Sequence, residues 1–497
     1  MQKIAKYTML LAVAAFITGC SGKPSIKTSN PVDVYPNIWP DYKEVTIPSG
    51  IAPLNFNFLG NQYNWLELDI TGSISGKLHA EGKSIEMDID EWHQLTALNM
   101  GGQLNCRLSV IYKGLQVIYK EFPIYVSADP LDQYGLTYRL VEPGYVGFGM
   151  MGIYQRNLSN FDQEAIFETK SSTGSCVNCH TSNRTNQRQA TFHVRGTGGF
   201  TMVKNGDDDV RFFNMATDKT IAGCVYPYWH HTGKYIAYSQ NITKQVFHTA
   251  HPNKIEVFDE KSDIVIYDVD KHELILSPQI KKENEGETFP AFSPDGNTLY
   301  YCKAINNESG QYLEDVKYCL MKIAFDSNTG HAVGEPDTLL CIPNHSITLP
   351  RPSYDGKYLM FTLADYGTFP IWHHEADLYM IDLQCSDSVK YAPCEALNSN
   401  DTESFHNWSA NSKWVVISTR RDDGLYTRLY LAHVNSDGTF SKPFILPQKN
   451  PVKYYNELFY SYNTPDFSDS PLQTPTQATS RAAANSPQDR ERVKAVE

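Results

Sequence analysis

An all-β fold is what this sequence of 497 residues predicts, a small β-sandwich-like N-terminal domain followed by a β-propeller of five or six blades. Three observations carry that prediction. Between about 45 and 127, apolar and polar residues alternate, as in Trp65-Leu66-Glu67-Leu68-Asp69-Ile70, Ile85-Glu86-Met87-Asp88-Ile89 and Leu104-Asn105-Cys106-Arg107-Leu108, the period of half-buried strands. Beyond 188 a strand, a Pro-Asp-Gly-type turn and a second strand recur about every sixty residues, marked by Gly233, Gly296 and Gly356, a repeat suited to radial sheets carrying loop insertions. Between the two lies a polar segment with Cys176-Val177-Asn178-Cys179-His180 at its centre.

Taken in order, the chain opens with a charged start and an apolar run from Tyr7 to Ile17, too short for a membrane span and shaped like an export signal. It ends in Ile17-Thr18-Gly19-Cys20, which resembles a bacterial lipobox. The expectation is a signal peptide over 1–19, lipidation of Cys20, and a periplasm-facing outer-membrane anchor, because Ser21 stands where inner-membrane retention wants Asp. An ordinary cleaved signal with a coincidental cysteine is the alternative. Residues 20–44 are polar and proline-punctuated and read as a tether. The sandwich-like domain follows over 45–128, then a connecting segment over 129–187, the propeller over 188–466 and a disordered tail over 467–497, where large apolar residues are scarce.

Four stretches define the repeat: Tyr226-Pro227-Tyr228-Trp229, Phe289-Pro290-Ala291-Phe292, Leu349-Pro350-Arg351-Pro352 and Phe405-His406-Asn407-Trp408, each entering a turn and a second strand. A first blade is expected to include Phe200-Thr201-Met202-Val203 and Val210-Arg211-Phe212-Phe213, and a sixth to draw on 145–167 or 460–467.

The Cys-x-x-Cys-His pattern is that of covalent haem attachment, in which two thiols add to the porphyrin vinyl groups and the adjacent imidazole reaches the iron. One haem c is therefore the expected cofactor, held by thioethers from Cys176 and Cys179 with His180 as proximal iron ligand. His193 is the foremost candidate for the second iron ligand; Met202, Met215, His230 and His231 are others. A disulfide between Cys176 and Cys179, or a thioredoxin-like pair, is the competing reading. Of the ten cysteines, Cys302 with Cys319 and Cys385 with Cys394 are spaced for hairpin disulfides, leaving at least one of Cys106, Cys224 and Cys341 free.

Other constellations are weaker. The sequence has no nucleophile elbow and no His-Glu-x-x-His helix. Asp207-Asp208-Asp209, Arg420-Arg421-Asp422-Asp423 and His373-His374-Glu375 are charged loop clusters, more often solvated or mutually paired than functional. A formal charge of −13 argues against nucleic acid as a partner.

The "FSPDGNTLYY" type of repeat resembles that of TolB-like, WD-repeat-like β-propellers over about 189–447. With the Cys176–His180 motif, "HHEADLYMIDL" and "RRDDGLYTRLYLAHV", the whole chain is similar to Bacteroidetes-type lipoproteins that join one haem motif to such a propeller. The resemblance bears on the fold more than on the job; with the haem motif, the leading expectation is an envelope lipoprotein working in electron transfer or redox sensing with a protein partner at the propeller face, with no catalytic residues. The alternative from another class is a non-catalytic scaffold that binds a protein or glycan, with Cys-x-x-Cys-His structural only.

Overall fold

The computed structural model describes residues 27–28, 31–60, 62–142, 150–169, 176–196, 199–251, 253, 255–283, 285–305, 313–385, 388–474, 476–484 and 490–497. The expected signal peptide and Cys20 lie outside them. No helix among the described residues is long and apolar enough to cross a membrane.

Six sheets of four principal strands form a propeller. Its inner strands are Ser461–Ser468, Cys176–Asn183, Val225–Trp229, Glu287–Phe292, Ser346–Pro352 and Glu403–Trp408, for blades 1 to 6. Blade 1 is built from both ends of the ring: Ser461–Ser468 pairs antiparallel with Gly135–Val141, which continues into Met151–Asn157 and Gln163–Glu168. The first strands of the ring and its last thus share one blade, which closes the circle.

The ring begins at Gly135, well before the expected boundary at 188. The segment read as a connection supplies three strands of blade 1 and the inner strand of blade 2, Cys176–Asn183. Its polar composition had concealed it, because apolar residues at Met151, Ile153, Val177 and Val194 meet across two blades and no single run looks greasy. The tail differs as well. Ser461–Ser468 is the closing strand, Thr476–Ala484 is helical, and Glu491–Arg492 and Lys494–Val496 pair in parallel with the outer strands of blades 2 and 3. An outer blade strand offers unpaired backbone groups, so a tail poor in large side chains is ordered by main-chain pairing.

The N-terminal domain is a seven-stranded sheet whose central strands are Trp65–Gly72 and Gln103–Tyr112. The stretch 85–89 is not a strand: Ile85 makes one bridge to Phe56, and Asp88 caps the helix Ile89–Leu98 by accepting hydrogen bonds from the backbone of Asp90 and Glu91 at 3.0 Å each. A side-chain oxygen placed on orphan helix donors outcompetes the alternating pattern there. Trp92 of this helix is fully buried, and the domain core is continuous with Trp414, Leu429, Leu431 and Phe444 of blade 6.

The disulfide lies between Cys319 and Cys341, whereas Cys302, Cys385 and Cys394 are free. Register explains why Cys302 is not the partner: across the strand pair Cys319 stands opposite Lys303, and Cys302 opposite Leu320, so their side chains leave opposite faces of the sheet. Cys394 is buried near Leu378, to which its backbone bonds.

Candidate functional site

The inner strand of every blade breaks register near its middle. In blades 2 to 6 these breaks fall at 178/181, 225/228, 288/291, 348/351 and 403/406, and in blade 1 opposite 137/139; blade 2 has a further break at 182/183. The residues bulged out are Cys179-His180, Tyr226-Pro227, Phe289-Pro290, Leu349-Pro350 and Thr464-Pro465, and in blade 6 Ser404-Phe405, after which His406 is back in register opposite Ile417. The first member of the pair has a left-handed backbone at Cys179 (φ 58°), Tyr226 (47°), Phe289 (50°), Leu349 (54°) and Thr464 (47°), a conformation costly for non-glycine residues and retained only where packing enforces it. Proline suits the second position because a bulge releases that N–H from the ladder. Cys179-His180 is therefore the blade 2 copy of a structural element that five blades share, and blade 6 bulges one place earlier without the left-handed residue. Sequence reasoning placed it in a loop; the detectable signal was the shared polar residue three places on, at Asn183, His230, Ser293, Ser353, Ser409 and Ser468.

Around this element the donor set has a definite chemistry. Cys176 and Cys179 are free; Cys176 is half-buried with its Sγ 3.4 Å from Arg139 Nη2, and Cys179 is buried, which pushes its thiol up. His180 is buried with neither ring nitrogen hydrogen-bonded, and burial holds it neutral, down at about 4, against a slight opposing effect of the Thr137 backbone. His406, which directly follows the blade 6 bulge, is also buried and down at about 4; its Nδ1 meets Ser404 O at 2.9 Å. Both line an axial cavity of about 30 Å³, together with Arg351 and Asp466. Burial raises the Asp466 carboxyl to about 7, although Thr181, Ser182 and Asn407 all donate to it.

Two free thiols and a neutral, unpartnered imidazole suit haem, but the space does not. A ligand of porphyrin size takes a pocket of roughly 300–1,000 Å³, an order of magnitude more than the cavity beside His180. His193, the expected second ligand, pairs across the sheet with Asn178, gives its Nδ1 to Thr201 Oγ1 at 2.9 Å and packs beside Gly223, where an added Cβ would lie 3.2 Å from the ring. Burial drives it down to about 3. These residues as they stand do not fit the group.

The remaining named residues have structural partners. Met202 and Met215 are core. His230 bonds Thr232 and approaches Gly296 O of the next blade at 3.2 Å, with His231 stacked on it. Asp207 pairs with Arg188 and Asp209 with Arg211. Arg420 lies 4.0 Å over the Trp372 ring, Arg421 bridges to Glu403 at 3.1 Å, and Asp422 accepts from Tyr430.

A second, far larger cavity of about 1210 Å³ opens at one mouth of the ring. Its wall is the long hairpin of blade 3, Tyr235–Phe247 with Ile255–Asp268, whose strands of 13 and 14 residues extend past the other blades. An aromatic cluster separates the two cavities: Tyr226, Phe289 and Phe369 pack with centroids 4.7–5.7 Å apart, while Val257, Val316 and Tyr318 of the same cluster line the mouth. Charges of both signs face the mouth, among them Asp259, Lys261, Asp263, Lys281 and Lys282. Burial lifts Asp259 to about 7, opposed by a 2.8 Å hydrogen bond from Asn241 and by nearby Arg195.

No protein-family model matches the chain, and no curated protein matches it. Solved structures similar to it include a putative TolB from Agrobacterium tumefaciens, 12% identical with a TM-score of 0.37, covering 67% of this chain and 98% of that one. Others are a prolyl oligopeptidase B from Galerina marginata bound to a 25mer macrocyclization substrate (10%, TM-score 0.36, 69% and 42%) and a putative 6-phosphogluconolactonase from Bacteroides fragilis (12%, TM-score 0.34, 78% and 97%). The propeller assignment rests on the sheet topology, and likenesses this remote carry no statement about activity.

Proposed function

We propose that this chain is a non-catalytic binding module: a TolB-like propeller, held in the cell envelope by a lipid at Cys20, that takes a protein or glycan partner at its mouth. The observation that carries the reading is the place of Cys179-His180, standing where four other blades put an aromatic, aliphatic or threonine residue followed by proline and blade 6 puts Phe405-His406. A bulged pair used as packing in five blades needs no prosthetic group to explain it. The mouth has the volume and the mixed polar and aromatic wall that a polymeric partner requires.

Haem attachment with electron transfer is the second reading, favoured by two free thiols beside an unpartnered His180. Expression in a host with haem-attachment machinery separates the two. The expected product has the mass of the lipidated polypeptide alone, and both thiols react with alkylating agent after unfolding. A narrow reduced absorption band resistant to acid extraction, with one haem of added mass, would overturn the binding-module reading of the motif. Partner binding is read on a glycan array and with envelope-protein peptides. Lys281→Glu with Lys282→Glu is expected to weaken whatever ligand is retained by tenfold or more, and an unchanged affinity would move the partner away from the mouth.

A further inference from the structure

The long hairpin brings three side chains from two blades to one spot at the mouth. His248 stands at its turn, Glu256 on its returning strand, and His373 in the loop after the short helix Pro370–Trp372 of blade 5. Nε2 of His248 lies 3.8 Å from Glu256 Oε1, and Nε2 of His373 lies 4.0 Å from Glu256 Oε2. Glu256 and His373 are buried, and both line the large cavity.

From this arrangement we infer that His248, Glu256 and His373 form a binding site for one first-row divalent metal ion of the zinc type, open toward the cavity. Two imidazoles and one carboxylate are a donor set that such ions accept, and three protein ligands leave a position for water or for a ligand group. The surroundings orient the donors. Glu375 Oε1 takes the Nδ1 side of His373 at 3.0 Å, which leaves Nε2 as the lone-pair nitrogen aimed at Glu256, the outer-shell pairing that metal-bound histidines use. Tyr366 donates to Glu256 and is itself held by Asn253 Nδ2 at 3.1 Å, fixing the carboxylate from behind. On the third ligand, the buried Nε2 of His248 has no hydrogen-bond partner. His374, the neighbour in sequence, is turned to Asp401 at 2.9 Å and takes no part.

Donors bound to one ion at about 2.1 Å stand roughly 3.0–3.5 Å apart. The present gaps exceed this by about half an ångström, and among the described residues no three such side chains already stand at binding distance. His248 sits at the hairpin turn with its side chain 28% exposed, so it is free to close its own gap, while the 4.0 Å between Glu256 and His373 closes by side-chain rotation. Entry is through the mouth, and the wide cavity supplies room for the fourth ligand.

The site is independent of what the mouth binds and of the fate of Cys176 and Cys179, so its test separates from theirs. Chelator-dialysed full chain is titrated with zinc chloride by calorimetry and with cobalt chloride by absorption. One ion per chain is expected, with weak visible cobalt bands and no intense near-ultraviolet thiolate band. His373→Ala, Glu256→Gln and His248→Ala should each weaken binding tenfold or more; the third, at the hairpin turn, leaves the packed ring untouched and guards against loss by misfolding. Absence of binding, equal binding by all three variants, or a thiolate band placing the ion on the cysteines would overturn the inference.

Discussion

The axis and the mouth of this ring are built from the same blades and differ in almost every physical respect. At the axis five of the six inner strands line about 30 Å³, where burial keeps His180 and His406 uncharged. At the mouth one blade's hairpin outgrows its neighbours and encloses about 1210 Å³ lined by charges. The most conspicuous motif in the sequence went to the tighter place. A radial repeat packs each inner strand against those of both flanking blades, so residue identity there is dictated by packing, whereas an insertion outside the repeat is free to carry chemistry.

One group from each region, Asp259 at the mouth and His406 at the axis, titrates with opposite sign, which gives the comparison its strongest test. Asp259 at the mouth is raised from 3.8 to about 7 by burial. The folded protein therefore holds a proton that the unfolded chain has released between those values, and stability from this group is present below pH 3.8 and lost as pH rises through 7. The loss amounts to about 4 kcal/mol. Asp259→Asn, which keeps a partner for Asn241, is expected to flatten the decline of unfolding free energy between pH 4 and 7 in urea titrations. A variant with the same slope as the parent would mean that Asp259 ionises freely and that the mouth is wetter than its burial implies.

His406 at the axis runs the other way. Its folded value is depressed from 6.5 to about 4 by burial, so its contribution is full above pH 6.5 and lost as pH falls through 4, about 3 kcal/mol in all. His406→Gln should remove that acid sensitivity while Asp259→Asn leaves it intact, read from the same titrations on the acid side. His180→Gln should act alike, but the pair shares one cavity with Asp466, whose raised carboxyl opposes both, so the double variant is expected to fall short of the sum.

The propeller was legible in the sequence because Pro-Asp-Gly turns and alternating strands repeat in blades 3 to 5, and Asp295 and Asp355 fold those turns with local hydrogen bonds to Ser293 and Ser353. Blades 1 and 2 were legible only in part: 200–203 and 210–213 do form one blade and both 145–167 and 460–467 contribute to another, but Gly135–Val141 and the inner strand Cys176–Asn183 were missed. Their apolar residues are divided between sheets, and the closing strand Ser461–Ser468 lies over 300 residues from its partner Gly135–Val141, a distance no local pattern reports. For the candidate sites the same division holds. His373 and Glu375 stood out as a charged cluster, but His248 and Glu256 are ordinary residues until a hairpin of unusual length carries them to blade 5.

The smallest expected effect bears on the motif itself. Cys176 is half-buried, unbonded to Cys179, and its closest polar neighbour is Arg139 at 3.4 Å. If the strand Cys176–Asn183 is wall and nothing more, exchanging sulfur for oxygen removes little apolar burial and keeps a weak acceptor for the guanidinium, so Cys176→Ser should change stability by no more than about 0.5 kcal/mol. A covalently held porphyrin makes the opposite demand, since losing one thioether frees a large apolar group from a wall that had been shaped to it. The thermal midpoint of Cys176→Ser, taken in the host that attaches haem, therefore discriminates without a spectrum: a drop of many degrees would show that the axis is organised around a guest, and an unchanged midpoint turns attention to the mouth, where about 1210 Å³ stands open among the described residues.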